Sequence, residues 1–255
     1  MLELLLCNTP GPDQPGKAER ISAFLTRFGP PARVVTVSWR EDAELQAYYL
    51  PPGSAEPTGT PGIICIGETR SKEALFRLMA RPSRARGLAL LCADLGDPAA
   101  PTLRRSIRPE TCISALIDHL ADEPGIDPAR IAVMGDGSAS SLVARGVAFD
   151  GRAAAAVCDG GLWERWASSH SWPSPMPLDD VAPPFGLAMP CPTLIPLRRA
   201  KDIDPAHAQE LLVSRLPRVS GDAGGKLVDL GGAKSRVQVG SILDWVRDRL
   251  RERIG

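Results

Sequence analysis

Two aspartates stand where apolar runs give way to glycine: Asp136 in IAVMGDG (residues 131–137) and Asp159 in AAAAVCDGG (153–161). A short apolar run that closes on glycine reads as a buried strand with its carboxyl end at the glycine. Open α/β sheets bind their ligands at the carboxyl ends of strands. A carboxylate held there can take or give a proton, so Asp136 and Asp159 are candidates both for lining a pocket and for acid–base chemistry. Glu68, directly after GIICIG (62–67), and Lys234, beyond the last apolar run, add an acid and a base of the same use. Leu162 to Met189, LWERWASSHSWPSPMPLDDVAPPFGLAM, carries Trp163, Trp166, His170 and Trp172 among many prolines and is too irregular for a packed helix pair. It reads as a short lid whose tryptophans wall a pocket or pack on the sheet, with His170 hanging above.

Other chemistries find less support. His119 and His207 fall in helical stretches and read as solvated residues. There is no H-E-x-x-H and no clustered Cys/His spacing for a metal, and Gly135-Asp136-Gly137 lacks the rest of a dinucleotide fingerprint, so neither metal nor cofactor is expected. Lys plus Arg is 30 and Asp plus Glu is 30, which removes the charge argument for nucleic acid or an anionic membrane as main partner. A neutral small molecule or a protein partner fits better, and a homodimer stays open. Six cysteines, Cys7, Cys65, Cys92, Cys112, Cys158 and Cys191, are scattered without a C-x-x-C pair, several inside apolar runs, as in a reducing cytoplasm. The N-terminal MLELLLCNTP has an apolar stretch too short for a signal peptide or a membrane span, so a cytoplasmic protein is expected.

The elements that must position these residues alternate. Arg33 to Leu50 reads as a β-hairpin turning at Arg40-Glu41-Asp42, and GIICIG (62–67) as a strand buried on both faces. A helix follows over Ser71 to Met79, then a strand at 88–93. A second helix covers 108–123, with Ile113, Leu116, Ile117 and Leu120 at helical spacing. Ile126 to Arg130 leads into a strand over 131–137, a helix over 138–149, and strands at 153–161, 192–197 and 226–230. A C-terminal helix over 239–253 presents Ile242, Leu243, Val246 and Leu250 on one face. Strands alternating with helices predict an α/β fold with a doubly wound, mostly parallel sheet. The 255 residues suit one domain, with an N-terminal segment 1–32 and a lid insertion 162–189.

This order of elements, with GIICIGETRSKEAL (62–75), LCADLGDP (91–98), IDPARIAVMGDGSAS (126–140), AAVCDGGLWERW (155–166) and MPCPTLIPL (189–197), resembles the α/β-hydrolase superfamily. Within it the likeness is to the branch containing dihydroxypseudooxynicotine hydrolase and the fermentation-respiration switch protein. The resemblance implies a G-x-S-x-G elbow, a strained turn that lifts a serine between strand and helix. Here that window reads Gly135-Asp136-Gly137-Ser138-Ala139, which puts Gly137 at the nucleophile position. Ser138 reads as a helix N-cap or, with the elbow shifted by one residue, as an alternative nucleophile. Ser140 and Ser141 read as plain helix residues. The implied histidine position, in the loop after the last strand, is Ala233 or Lys234. The implied acid is Asp202, which with Asp204 also suits a cap before Pro205, while Asp159 sits at a position sometimes used instead. Glu68 falls in the implied oxyanion loop, where a carboxylate opposes developing negative charge.

The expected protein is therefore a hydrolase-fold pseudoenzyme with a degenerate triad (Gly137, Lys234, Asp202). It would bind a small molecule or biosynthetic intermediate, and either do no chemistry or catalyse a cofactor-free isomerisation, elimination or cyclisation. The competing expectation is a serine esterase or amidase that uses Ser138 with His170.

Overall fold

The computed structural model describes residues 17–39, 44–53, 59–67, 71–94, 110–137, 139–159, 189–197, 225–229 and 235–252. Helix α1 (Lys17–Leu25) precedes strands β1 (Arg33–Ser38), β2 (Glu44–Leu50) and β3 (Thr60–Gly67). Then follow α2 (Lys72–Arg84), β4 (Ala89–Asp94), α3 (Thr111–Ala121), β5 (Ile126–Asp136), α4 (Ala139–Asp150), β6 (Ala155–Asp159), β7 (Thr193–Leu197), β8 (Gly225–Asp229) and α5 (Ser235–Glu252). The strands form one eight-stranded sheet in the order β1-β2-β4-β3-β5-β6-β7-β8. β2 is antiparallel to both its neighbours, and β3 to β8 are mutually parallel. The doubly wound, mostly parallel sheet read from the alternation is thus present.

Two apolar layers hold it. On one face α3 and α4 cover Ile64, Ile66, Ile131, Val133 and Ala156. On the other, α1, α2 and α5 cover Ile63, Cys65, Ala132, Met134 and Val157. Successive residues of a strand alternate between faces, so a strand sandwiched by helices must be apolar throughout. β3 is buried at all eight positions for this reason.

Several boundaries differ from the sequence reading. α2 runs through Pro82 to Arg84, because its sheet-facing stripe, Leu75, Phe76, Met79, Ala80 and Ser83, continues past the proline. β5 begins at Ile126, where Arg130 is drawn inside: it is 2% exposed, its Nε donates to Asp127 Oδ2 at 2.7 Å, and its Nη2 donates to the Gly59 carbonyl. α5 starts four residues before the expected 239, and α1 lies in the segment 1–32 for which no element was expected. Its Phe24, with nearby Phe28, meets Phe76 of α2 edge-on, and Phe76 meets Tyr48 of β2 in the same way.

Candidate active site at the carboxyl ends of the strands

β5 turns into α4 within a very small space. Gly137 has φ +65°, a left-handed backbone that costs an L side chain about 1–2 kcal/mol and glycine nothing comparable. Its N–H donates to the carbonyl of Asp159 at 2.6 Å, and its carbonyl accepts from the N–H of Ser140 at 3.1 Å. Gly135 lies so close to the start of α4 that a Cβ would sit 2.6 Å from both Cα and N of Ser140. Ser140 is buried, and its Oγ donates back to the Gly135 carbonyl at 2.9 Å. That hydroxyl serves the backbone of the turn, in keeping with its reading as a plain helix residue. The apex of the turn is Gly137.

Register lines up acidic residues beside this turn. The Cα atoms of Asp94, Gly67, Asp136 and Asp159 pair in sequence across β4, β3, β5 and β6. Asp136 is 5% exposed and Asp159 1%. Both follow, at the strand's two-residue period, Met134 and Val157, which face the α2/α5 layer. Neighbouring strands run about 4.8 Å apart, so the structure places two of the acidic residues picked out from the sequence next to each other at one end of the sheet.

Behind them the thiol of Cys158 contacts the Ser140 carbonyl at 3.8 Å. Burial, and then the charges of Cys191 and Asp159, push this thiol up to about 12, so it stays protonated and packs as a small hydrophobe. Lys72 and Gln238 are among the buried polar residues that the sequence reading did not pick out. Lys72 opens the buried stripe that continues through Leu75, Phe76 and Met79, and Gln238 stands one turn before Ile242 on α5. Both lie in first turns of helices that follow parallel strands, hence at the same end of the sheet as Asp136 and Asp159. The signal for Lys72 was its spacing of three and four residues ahead of Leu75 and Phe76.

His119, expected as a solvated residue, is only partly exposed. It stands at the other end of the fold, in the last turn of α3, with Nε2 3.8 Å from Glu123 Oε1. Glu68, Ser138, Trp163, Trp166, His170, Trp172, Asp202, His207, Ala233 and Lys234 lie outside the described residues. Among the described residues no group of three or more His, Cys, Asp and Glu side chains could hold a metal ion, and no helix is long and apolar enough to cross a membrane.

No protein-family model matches the chain, and no curated protein matches it in sequence. Solved structures do match. 2,6-Dihydroxy-pseudo-oxynicotine hydrolase superposes with a TM-score of 0.69 at 19% identity, over 92% of this chain and 72% of that one. Esterase 2 of Thermogutta terrifontis, phosphoramylated by tabun, gives 0.65 at 17% identity over 87% and 94% of the two chains. A thermostable carboxylesterase cloned from a metagenomic library gives 0.61 at 18% identity over 92% and 95%. At such identities the shared property is the architecture. The strand order, the antiparallel β2 and the tight β5–α4 turn agree with it, and the chain has the α/β-hydrolase fold.

Proposed function

We propose that this hydrolase-fold chain works without a serine nucleophile at its elbow and uses the carboxyl ends of β5 and β6 to bind a small molecule or biosynthetic intermediate. There it either holds the ligand or catalyses a proton-transfer step such as an isomerisation, elimination or cyclisation. One observation carries the reading: the residue at the left-handed apex of the β5–α4 turn, where the fold presents its nucleophile, is Gly137, which has no side chain to attack with. The residues left to act are Asp136 and Asp159, with Glu68 from the loop after β3. One carboxylate would take a proton from carbon while a neighbouring carboxyl group returns it elsewhere on the same ligand. In this reading Gly137, Lys234 and Asp202 are the degenerate triad positions, and Trp163, Trp166, His170 and Trp172 close the pocket from the lid. Such a step needs neither cofactor nor metal.

Treating the purified protein with a fluorophosphonate probe and measuring its intact mass tests this directly. The expected result is no adduct. A stoichiometric adduct mapped to Ser138 would overturn the proposal and establish the second reading, a serine esterase or amidase with a nucleophile shifted by one residue. The likeness to esterases of the same architecture favours that alternative. If a substrate is found by screening, Asp159→Asn and Asp136→Asn should each lower turnover by on the order of a hundredfold, the usual worth of a positioned acid or base. Unchanged turnover in both variants would remove them from the mechanism.

A further inference from the structure

β1 closes one side of the sheet, and among the described residues its one strand neighbour is β2. The β1–β2 register runs unbroken from Arg33 to Ser38, without a bulge to twist the edge away. Native proteins guard exposed edges with lysine, proline, inward charges or bulges. Val34 to Ser38, VVTVS, has none of these. The charge at the start of the strand is committed elsewhere: Arg33 donates to both carboxylate oxygens of Glu123, at 2.5 and 2.6 Å, and its guanidinium lies 4.6 Å from the centre of the Tyr49 ring. Val34, 50% exposed, is one of two large apolar residues in the open among the described residues.

From this regular edge, unguarded among the described residues, we infer that β1 is an interaction surface for a second copy of the chain, the two β1 strands pairing antiparallel about a twofold axis to make one continuous sheet. An antiparallel strand is its own complement under such an axis, so the same backbone donors and acceptors meet on both sides. The axis lies perpendicular to the sheet and keeps each side chain on its own face. Only pairings of residues from the same face are then allowed, and a pairing centred on Thr36 uses the whole run. It sets Val34 against Ser38 of the other copy on the exposed face, and Val35 against Val37 on the α3/α4 face. No residue between Val34 and Ser38 carries a charge that would ask for a different, oppositely charged partner.

The proposal is independent of the chemistry assigned to Asp136 and Asp159. Light scattering on the eluting full-length protein at micromolar concentration should give twice the 27.2 kDa chain mass. The double variant Val34→Lys, Thr36→Lys should return to a single chain mass with an unchanged circular dichroism spectrum. Its side chains point to solvent on one face, so folding is spared while the paired edge is charged. Hydrogen exchange supplies a readout that needs no variant: amides within residues 34–38 of the wild-type protein should exchange more slowly as concentration rises. A wild-type protein of single chain mass overturns the inference. So does a dimer that survives both lysines, or one whose 34–38 amides exchange at a rate independent of concentration.

Discussion

Replacing Gly135 by alanine tests whether the β5–α4 turn is built on a close approach of backbones. The added Cβ would lie 2.6 Å from Cα and N of Ser140 and 2.7 Å from the carbonyl carbon of Ala139. Ordinary contact begins near 3.4 Å, so the start of α4 must back off by about 0.8 Å, and no rotamer change can relieve a clash with backbone. Overpacking of this kind costs about 1–3 kcal/mol, and the shift also breaks the bond from Ser140 Oγ to the Gly135 carbonyl, worth about 1 kcal/mol more. The expected loss is about 3 kcal/mol, or on the order of 10 °C in melting temperature for a chain of this length. The control is Gly151→Ala, at φ +76° with nothing within 4 Å of the added Cβ. It meets only the left-handed backbone penalty of about 1 kcal/mol. Urea titrations of both variants read the difference, since a change in midpoint at constant slope is a change in stability. Equal losses in the two variants would refute the argument, because the close approach at Gly135 would then add nothing.

Three further outcomes follow from the same packing. Asp127→Ala removes the carboxylate that pairs with the buried Arg130 guanidinium and should cost about 3 kcal/mol; adding Arg130→Met should recover part of the loss, and strict additivity of the two substitutions would count against the buried pair. Gly146→Ala should cost at least as much as Gly135→Ala, because its Cβ would fall 2.1 Å from Cγ1 of Ile113, and Ile113→Ala in the same chain should lessen the penalty. In alkali the fold should weaken from about pH 9 upward. Burial, then the charges of Cys191 and Asp159, raise the Cys158 thiol from an ordinary 9.0 to about 12; burial, then Glu123, raise the Tyr49 hydroxyl from 10.0 to about 12. Both groups stay protonated in the folded chain after they would ionise in the unfolded one, so their contribution is complete below the ordinary values and is lost as pH climbs toward 12. A melting temperature flat from pH 8 to 11 would contradict this, as would reaction of the native Cys158 with a thiol reagent at neutral pH.

How much of this was legible in the sequence depends on which force fixed each feature. Strands β3, β5 and β6 are buried on both faces, so their apolar runs identify them directly, and the glycines and aspartates that end those runs mark the carboxyl edge. The hairpin at 33–50 was equally plain, because β-branched and aromatic residues flank its polar turn. Where a boundary depends on tertiary contacts the sequence is silent. Pro82 suggests a stop, yet the stripe through Ser83 keeps α2 going. Arg130 suggests a solvated connection, yet Asp127 and the Gly59 carbonyl draw it inside and extend β5 back to Ile126. α1 is held by its aromatic contacts with α2, which a short amphipathic stretch cannot announce alone. At the site, pattern placed Asp136 and Asp159 at strand ends, but their adjacency is a property of strand order and register: 23 residues apart in sequence, they meet because β6 lies next to β5.

The turn between β5 and α4 is held by contacts of the backbone. Its geometry comes from the close approach at Gly135, the hydroxyl of Ser140 and the amide of Gly137 on the Asp159 carbonyl, all backbone or backbone-directed contacts. A serine at the apex would have to hold a left-handed backbone at a cost of about 1–2 kcal/mol, strain that an active nucleophile justifies and that glycine avoids. On the proposed function, stability and catalysis would be separable at residue 137, the frame of the elbow being kept by these contacts while the chemistry falls to Asp136 and Asp159. The bond from the Gly137 amide to the Asp159 carbonyl ties the apex to the end of β6, so a change in backbone position at 137 is felt at Asp159. On the proposed acid–base function, Gly137→Ser should then disturb turnover through the position of Asp159 while adding no reactivity toward fluorophosphonate.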